Sequence, residues 1–386
     1  MRRATVGIVG AGQLARMTAQ AAISLAVDTR VLAKDPSDSA CLAASILELG
    51  DPDDAEVLTR FARGCDVLTL DHELVQPALL VEIERGGCHV RPGGDVLRFA
   101  DKAHQRSCLQ EMGFPVPPFA RAESALDVIA FAAVHGWPVV VKTATGGYDG
   151  RGVFVVEDPA AARRVASELA SRALVVEPLL EIDCELAVVV ARRPSGEVVT
   201  YPVVETFQDD GICLETVVPA MLEPALSAMA TDLAVRVANA IGATGVLAVE
   251  LFATPHGLMI NELAPRPHNS GHWTIEGATT SQFENHIRAI LDWPLGATTL
   301  MANSAATVNV LGGVGSVDPV ALLPAALAVR GASIHLYGKS ARPGRKLGHV
   351  TALGSDRGAA LTLARTAAAA LKGPRSLSTS EEGHGI

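Results

Sequence analysis

Residues 5–9, 31–33 and 67–70 are three short apolar runs, each ending at a polar or glycine-rich break. The first runs through Gly10-Ala-Gly12 into a helical pattern over 13–22. Strands alternating with helices in this way build a parallel sheet with helices packed on it. This first unit closes near Arg91-Pro-Gly-Gly94. A helix is expected over 101–112, followed by the breaker-rich boundary Gly113-Phe-Pro-Val-Pro-Pro118.

A second unit follows. It has strand patterns at 137–142, 152–157 and 173–180 and a helix at 160–173. Runs at 184–192 and 197–206 alternate like antiparallel strands around Pro194-Ser-Gly196, and 225–241 is helical. A third unit carries strands at 307–311 and 333–337 and an Ala-rich helix at 356–371; the Ser/Gly-rich tail from 373 is expected to be disordered. At 386 residues, two or three domains are expected. The net charge of −10 argues against nucleic-acid or anionic-membrane partners, and no run is long enough to span a bilayer. The N-terminus enters a strand without a signal-peptide pattern. Six scattered cysteines without CxxC spacing disfavour zinc and disulfides and suit a reducing cytoplasm.

Residues 246–252 and 257–263 read as a hairpin around Thr254-Pro-His-Gly257. A three-residue loop with Gly257 in the left-handed region would set Glu250 opposite Glu262 on one face. Like charges opposed across a ladder repel, so the pair makes sense around a hard cation such as Mg²⁺. The strand then runs into Asn261-Glu-Leu-Ala-Pro-Arg-Pro-His-Asn-Ser-Gly-His272. Its prolines and glycine exclude a regular helix, and its polar groups make poor core.

Two glycine motifs stand apart. Gly10-x-Gly12-x-x-Ala15, with Asp35 closing the next strand, has the form of a dinucleotide fingerprint and leaves an NAD-dependent oxidoreductase open. Thr145-Gly-Gly-Tyr-Asp-Gly-Arg-Gly152 joins two strands, unlike a Walker loop, and could fold over a triphosphate with Lys142 supplying charge. Glu177, before Pro178, could take an adenine amino group, and Glu185 could accept ribose hydroxyls.

These residues, in this order, resemble the ATP-grasp superfamily and, within it, the 5-(carboxyamino)imidazole ribonucleotide synthase family. The resemblance rests on Gly10-Ala-Gly-Gln-Leu14, Asp66-Val-Leu-Thr-Leu-Asp-His-Glu73, Lys142 with the glycine loop, and Glu177-Pro-Leu-Leu180. It continues through the 261–273 string, Thr280-Ser-Gln-Phe-Glu-Asn-His286 and Arg342-Pro-Gly-Arg-Lys-Leu-Gly-His349. It implies an α/β ATP-grasp fold with a Rossmann-like pre-ATP-grasp domain at 1–110. The ATP-grasp domain would span 111–295, with a lid at about 143–153, and a small C-terminal domain 296–372.

The implied reaction is ATP-dependent carboxylation of 5-aminoimidazole ribonucleotide with bicarbonate, by a cytoplasmic homodimer. The resemblance assigns ATP to Lys102, Lys142, Gly147, Tyr148, Asp149, Gly150, Arg151, Gly152, Val153, Glu177, Pro178, Leu179, Leu180, Glu185, Gln208, Asn261 and Glu262. Glu250 and Glu262 would hold Mg²⁺. Arg266, His268 and Asn269, with Tyr148 and Asp149, would serve catalysis. Gly12, Gln13, Leu14, Glu73, Ser270, Lys339, Arg345 and Lys346 would meet the ribonucleotide. Lys102 and Gln208 stand where an arginine and a histidine are common. His268 could be a proton acceptor or an anchor of its loop. The helix from Ser281 carries a capping box and an apolar stripe, Phe283, Ile287 and Ile290, while Gln282 and His286 share another face. A formate-dependent glycinamide ribonucleotide transformylase would share the nucleotide residues but differ across 266–273. A non-catalytic nucleotide sensor would not need both acids and Lys142.

Overall fold

The computed structural model describes residues 2–146, 152–169, 172–209, 211–313 and 317–372. The C-terminal tail and residues 147–151 lie outside them.

The first sheet is parallel, built from β1 (Thr5–Val9), β2 (Asp28–Ala33), β3 (Ile46–Leu49), β4 (Val67–Leu70) and β5 (His89–Val90), in the order β3-β2-β1-β4-β5. Apolar residues such as Val6, Ile8, Val31 and Leu68 are almost wholly buried, as a sheet covered on both faces requires. The helix Gln13–Ser24 has no cap from its own chain neighbour Gly12. Its free N–H groups go instead to Asp71, just past β4, which accepts from Gly12 at 2.6 Å and Ala15 at 2.7 Å. A Cβ on Gly12 would lie 2.5 Å from Asp71 Oδ2, so glycine is needed there to admit the carboxylate. A dinucleotide would put its pyrophosphate at this helix end, and the protein's own carboxylate already fills that role. Asp35 is likewise committed to a local turn, accepting from Ser37 N at 2.8 Å and Ser37 Oγ at 2.7 Å. The NAD alternative has no phosphate seat here.

The second sheet is antiparallel, from β6 (Ala120–Ala122), β7 (Val139–Thr143), β8 (Val153–Val156) and β9 (Leu174–Pro178), in the order β6-β9-β7-β8. The helices Ala125–His135 and Pro159–Glu168 pack on it, started by a Ser124–Asp127 capping box and by Asp158. The glycine motif joins β7 to β8, as the sequence implied.

The third sheet has nine strands. These are β10 (Cys184–Arg192), β11 (Val198–Thr200), β12 (Val204–Asp209), β13 (Ile212–Val218), β14 (Gly245–Thr254), β15 (Gly257–Ala264), β16 (Ser304–Leu311), β17 (Ala332–Leu336) and β18 (Lys346–Gly354). The order is β15-β14-β10-β12-β13-β16-β18-β17, with β11 beside β10. The run expected at 197–206 is split into two strands. β13 and β18 were not anticipated; β18 begins inside the basic segment that reads as a loop. Through the pairing of β13 with β16, the C-terminal strands extend the same sheet.

Five ladder steps separate β14 from β18, about 24 Å if the sheet were flat. Yet the Lys346 ammonium, at the start of β18, is near enough to Glu250 on β14 to stabilise its ionised form. The sheet therefore curls, bringing both ends around one concave region.

The β14–β15 hairpin corrects the sequence reading in one detail. Thr254 pairs with Gly257, leaving a two-residue loop. That register alone would not put the two acids opposite each other. A bulge between Glu250 and Leu251 of the ladder leaves Asn261 as an extra residue on β15, and beyond it Glu250 pairs with Glu262. The acids face each other because of the bulge, not the turn.

The helix Pro224–Ala240 covers β10 and β14 with Ala230, Leu233, Ala234 and Val237. Each large side chain so buried contributes about 1.5–3 kcal/mol. The helix Gln282–Ile290 lies against the first helix through Ile287 and Ile290. His286 on it is a tie between units. Its Nε2 is 2.8 Å from Thr69 Oγ1 and its Nδ1 accepts from Val246 N at 3.1 Å. Burial pushes its pKa down to about 3, so it is neutral.

Candidate active site

The two antiparallel sheets meet around a buried charge network. Lys142 on β7 pairs with Glu177 on β9 at 2.7 Å and reaches Asn261 Oδ1 at 3.3 Å. The other Glu177 oxygen takes Arg106 Nε at 2.6 Å. Both carboxylate oxygens hold cations, which keep Glu177 ionised against the cost of burial. Burial in turn lowers the Lys142 pKa. Pro178 ends β9, and Leu179 beyond it is exposed. Gly152, at φ +79, returns the chain into β8 at Val153.

On the curled sheet, burial and the facing Glu262 push Glu250 up to about 7. Burial penalises Glu262 as well, but Lys102, at 2.8 Å, with the charges of Lys142 and Arg266, holds it below the usual carboxylate range. Asn261 Nδ2 approaches Glu250 at 3.4 Å. Two facing hard oxygen donors, one of which keeps its proton up to about neutral pH, suit a divalent cation, which would displace that proton. No group of three His, Cys, Asp or Glu side chains poised for a metal occurs among the described residues. A cation here would need further oxygens, which a triphosphate can supply. Glu185 on β10 accepts from Gln208 at 2.8 Å, and burial raises its pKa.

The loop after β15 brings Arg266 to Glu73 of the first unit, 2.7 Å away. His268 Nδ1 accepts from Ser270 N at 3.3 Å and lies 2.9 Å from Ser270 Oγ, which assigns the ring proton to Nε2. Nε2 is 3.5 Å from Glu250 Oε1. Burial, with Arg266 and Lys346 nearby, holds the His268 pKa well below its usual value. Gln282 grips the His268 peptide from both sides, accepting from its N–H at 3.0 Å and donating to its carbonyl at 2.7 Å. A Cβ on Gly271 would sit 2.4 Å from Gln282 Oε1. The Asn269 amide is buried, and the Cys213 thiol beside it is a weak partner.

The candidates for the ribonucleotide separate into groups. Gly12 N is taken by Asp71, and Leu14 is core, packed with Met17, Phe283 and Tyr337. Gln13 meets Lys339, which also lies over the Tyr337 ring at 5.8 Å. Arg345 donates to Ser340 Oγ at 2.9 Å. Tyr148, Asp149, Gly147, Gly150 and Arg151 lie outside the described residues.

The sequence reading missed Arg106 and Asp71. Arg106 falls one helical turn after Lys102, so the i, i+4 spacing on a helix of mixed polarity was the available signal. Nothing local marks Asp71 as a cap for a helix 56 residues earlier.

Two antiparallel sheets, one carrying the buried Lys142 and the other the paired acids, define an ATP-grasp enzyme. Residues 107–283 match the ATP-grasp domain, residues 3–101 the ribonucleotide synthetase preATP-grasp domain, and residues 305–362 the phosphoribosylaminoimidazole carboxylase C-terminal domain. N5-carboxyaminoimidazole ribonucleotide synthase of Mycobacterium tuberculosis (strain ATCC 25618 / H37Rv) is 44% identical over 367 residues, covering 91% of this chain and 84% of that protein. The Corynebacterium ammoniagenes protein of the same name is 41% identical, covering 94% and 91%. The Aspergillus clavatus enzyme, solved with ADP and 5-aminoimidazole ribonucleotide, aligns with a TM-score of 0.88 at 31% identity, covering 96% and 98%. This chain belongs to the N5-carboxyaminoimidazole ribonucleotide synthase family of ATP-dependent ligases.

Proposed function

We propose that the chain carboxylates 5-aminoimidazole ribonucleotide with bicarbonate and MgATP, giving 5-(carboxyamino)imidazole ribonucleotide, ADP and phosphate. The observation that carries this reading is the Glu250–Glu262 pair, flanked by Lys102 and Lys142 and adjoining the loop of Arg266, His268 and Asn269. A bicarbonate oxygen attacks the γ-phosphorus, and ADP leaves. The carboxyphosphate formed breaks to CO₂ and phosphate. The substrate amine bonds to the CO₂ carbon and gives one proton to the departing phosphate. Lys102 and Lys142 offset phosphate charge, and Glu250 and Glu262 would hold Mg²⁺, which supplies further charge neutralisation. Arg266 offers a fork to carboxylate or phosphate oxygens. His268, with Nδ1 engaged and Nε2 protonated, acts as a donor and loop anchor rather than as the amine's base. The Asn269 amide, with only the weak Cys213 thiol beside it, would donate its N–H to a substrate oxygen.

The reading includes three units, at about 1–110, 111–295 and 296–372, and a cytoplasmic homodimer. Six unpaired cysteines suit a reducing compartment, and sedimentation would give the assembly mass. The direct test is phosphate release from ATP. Release should require bicarbonate, rise with 5-aminoimidazole ribonucleotide, and accompany incorporation of labelled bicarbonate into product. Release driven by formate and glycinamide ribonucleotide instead would assign another ATP-grasp activity.

A further inference from the structure

Arg106 has no exposed side-chain surface and no part in the chemistry described above. A buried guanidinium persists only if its donors are paired. Its Nε goes to Glu177 Oε1 at 2.6 Å, one terminal nitrogen to Gln105 Oε1 at 2.9 Å, and the other to the Asn261 carbonyl at 2.8 Å. Gln105, itself fully buried, is fixed in turn by donating to Phe99 O at 2.8 Å. These contacts join two places that matter separately. Glu177 holds the Lys142 ammonium, and Asn261 is the bulge residue that brings Glu250 opposite Glu262. Asn261 closes the circuit through its side chain, which meets Lys142 on one end and Glu250 on the other.

We propose that Arg106 is a positioning residue for the nucleotide half of the reaction, setting at once where Lys142 points and whether the Asn261 bulge holds the acid pair in register. The inference rests on the ATP-dependent reading above and deepens it. Arg106 touches neither nucleotide nor metal; it acts through Glu177 and Asn261. A lysine cannot replace it, because its three donors sit on one nitrogen and cannot span acceptors that meet three separate nitrogens of the planar fork. The ribonucleotide contacts around Lys339 and Gln13 lie outside this circuit.

The test uses Arg106→Lys and Gln105→Met in the full chain, with folding checked by circular dichroism. ADP binding is read by calorimetry, and steady-state constants are measured for ATP and for 5-aminoimidazole ribonucleotide. Arg106→Lys should weaken ADP binding and raise the ATP constant about ten- to hundred-fold, as loss of charged hydrogen bonds does. Gln105→Met should raise both about three-fold or more. The ribonucleotide constant should stay within about three-fold in each. If Arg106→Lys does not fold, Gln105→Met decides. Unchanged nucleotide constants with a lowered melting temperature would make Arg106 a purely structural residue and overturn the proposal. So would equal loss for both substrates. ADP binding keeps the test separate from the reaction: failure of the wild type to consume bicarbonate would refute the function, while the binding data would still report on Arg106.

Discussion

Replacing Glu250 with glutamine should stabilise the unliganded protein, and by an amount that depends on pH. Glu250 has an ordinary pKa of 4.5, raised to about 7 in the folded chain by burial and by Glu262. The folded state therefore holds this proton more tightly than the unfolded chain does. Below pH 4.5 both states are protonated and the carboxyl costs nothing. As pH rises toward 7 the unfolded chain ionises freely while the folded one resists, so stability falls; above that the loss is complete. At about 1.4 kcal/mol per pH unit the ceiling is about 3 kcal/mol. The Glu250 side chain is 22% exposed, and water reduces this to about 1–3 kcal/mol. Glu250→Gln has no such titration. Urea midpoints of both proteins, followed by tryptophan fluorescence in chelator-containing buffer from pH 5 to 8, should diverge up to about neutrality and then run parallel. A gap constant across that range would refute the coupling of the acid pair. With Mg²⁺ and ATP present the order should invert, because the wild type gains ligand stabilisation and the variant, lacking one metal-holding carboxylate, binds more weakly and gains less.

Other expectations follow from the same geometry. Asp71→Ala should lower stability by about 1–2 kcal/mol, through loss of the Gly12 and Ala15 bonds, and NADH should bind neither form; calorimetry checks both. Gly152→Ala places a Cβ 2.4 Å from Thr143 Oγ1 at a positive φ. The left-handed conformation alone costs about 1–2 kcal/mol, so ATP affinity should fall several-fold while the ribonucleotide constant holds. Lys339→Ala should raise the ribonucleotide constant about ten- to hundred-fold and leave ATP within a few-fold, if a phosphate contact worth about 1.5–3 kcal/mol is lost. Lys346→Ala should move both constants, since its charge reaches Glu250 and His268; a purely ribonucleotide effect would contradict that placement.

What was legible in the sequence was what local pattern encodes. The runs at Thr5–Val9, Val67–Leu70 and Cys184–Arg192 are strands with those ends, and Ser281 caps its helix by accepting from Glu284 N. The acid pair was legible too, though by the wrong route, because a bulge leaves no signature in an alternating run. Strand β18 was hidden by Pro343 and Gly344, which mark a turn but sit just ahead of a ladder. Arg106 was hidden for a different reason: its partners Glu177 and Asn261 are 71 and 155 residues away, and only the folded sheets bring them together.

The continuity of the nine-stranded sheet limits how the chain can be divided. Homology segments end at 283 and resume at 305, which invites a cut between them. Such a cut would strip β16 from β13 and leave the backbone N–H and C=O groups of Glu215–Val218 without their partners on Ala305–Val308. A bare strand carrying Val217 and Val218 would be an adhesive edge, ready to pair with another copy. A fragment stopping near residue 295 should therefore precipitate or swap strands rather than survive as a monomeric nucleotide-binding piece. The C-terminal strands thus act as a chaperoning cover for the part of the protein that precedes them.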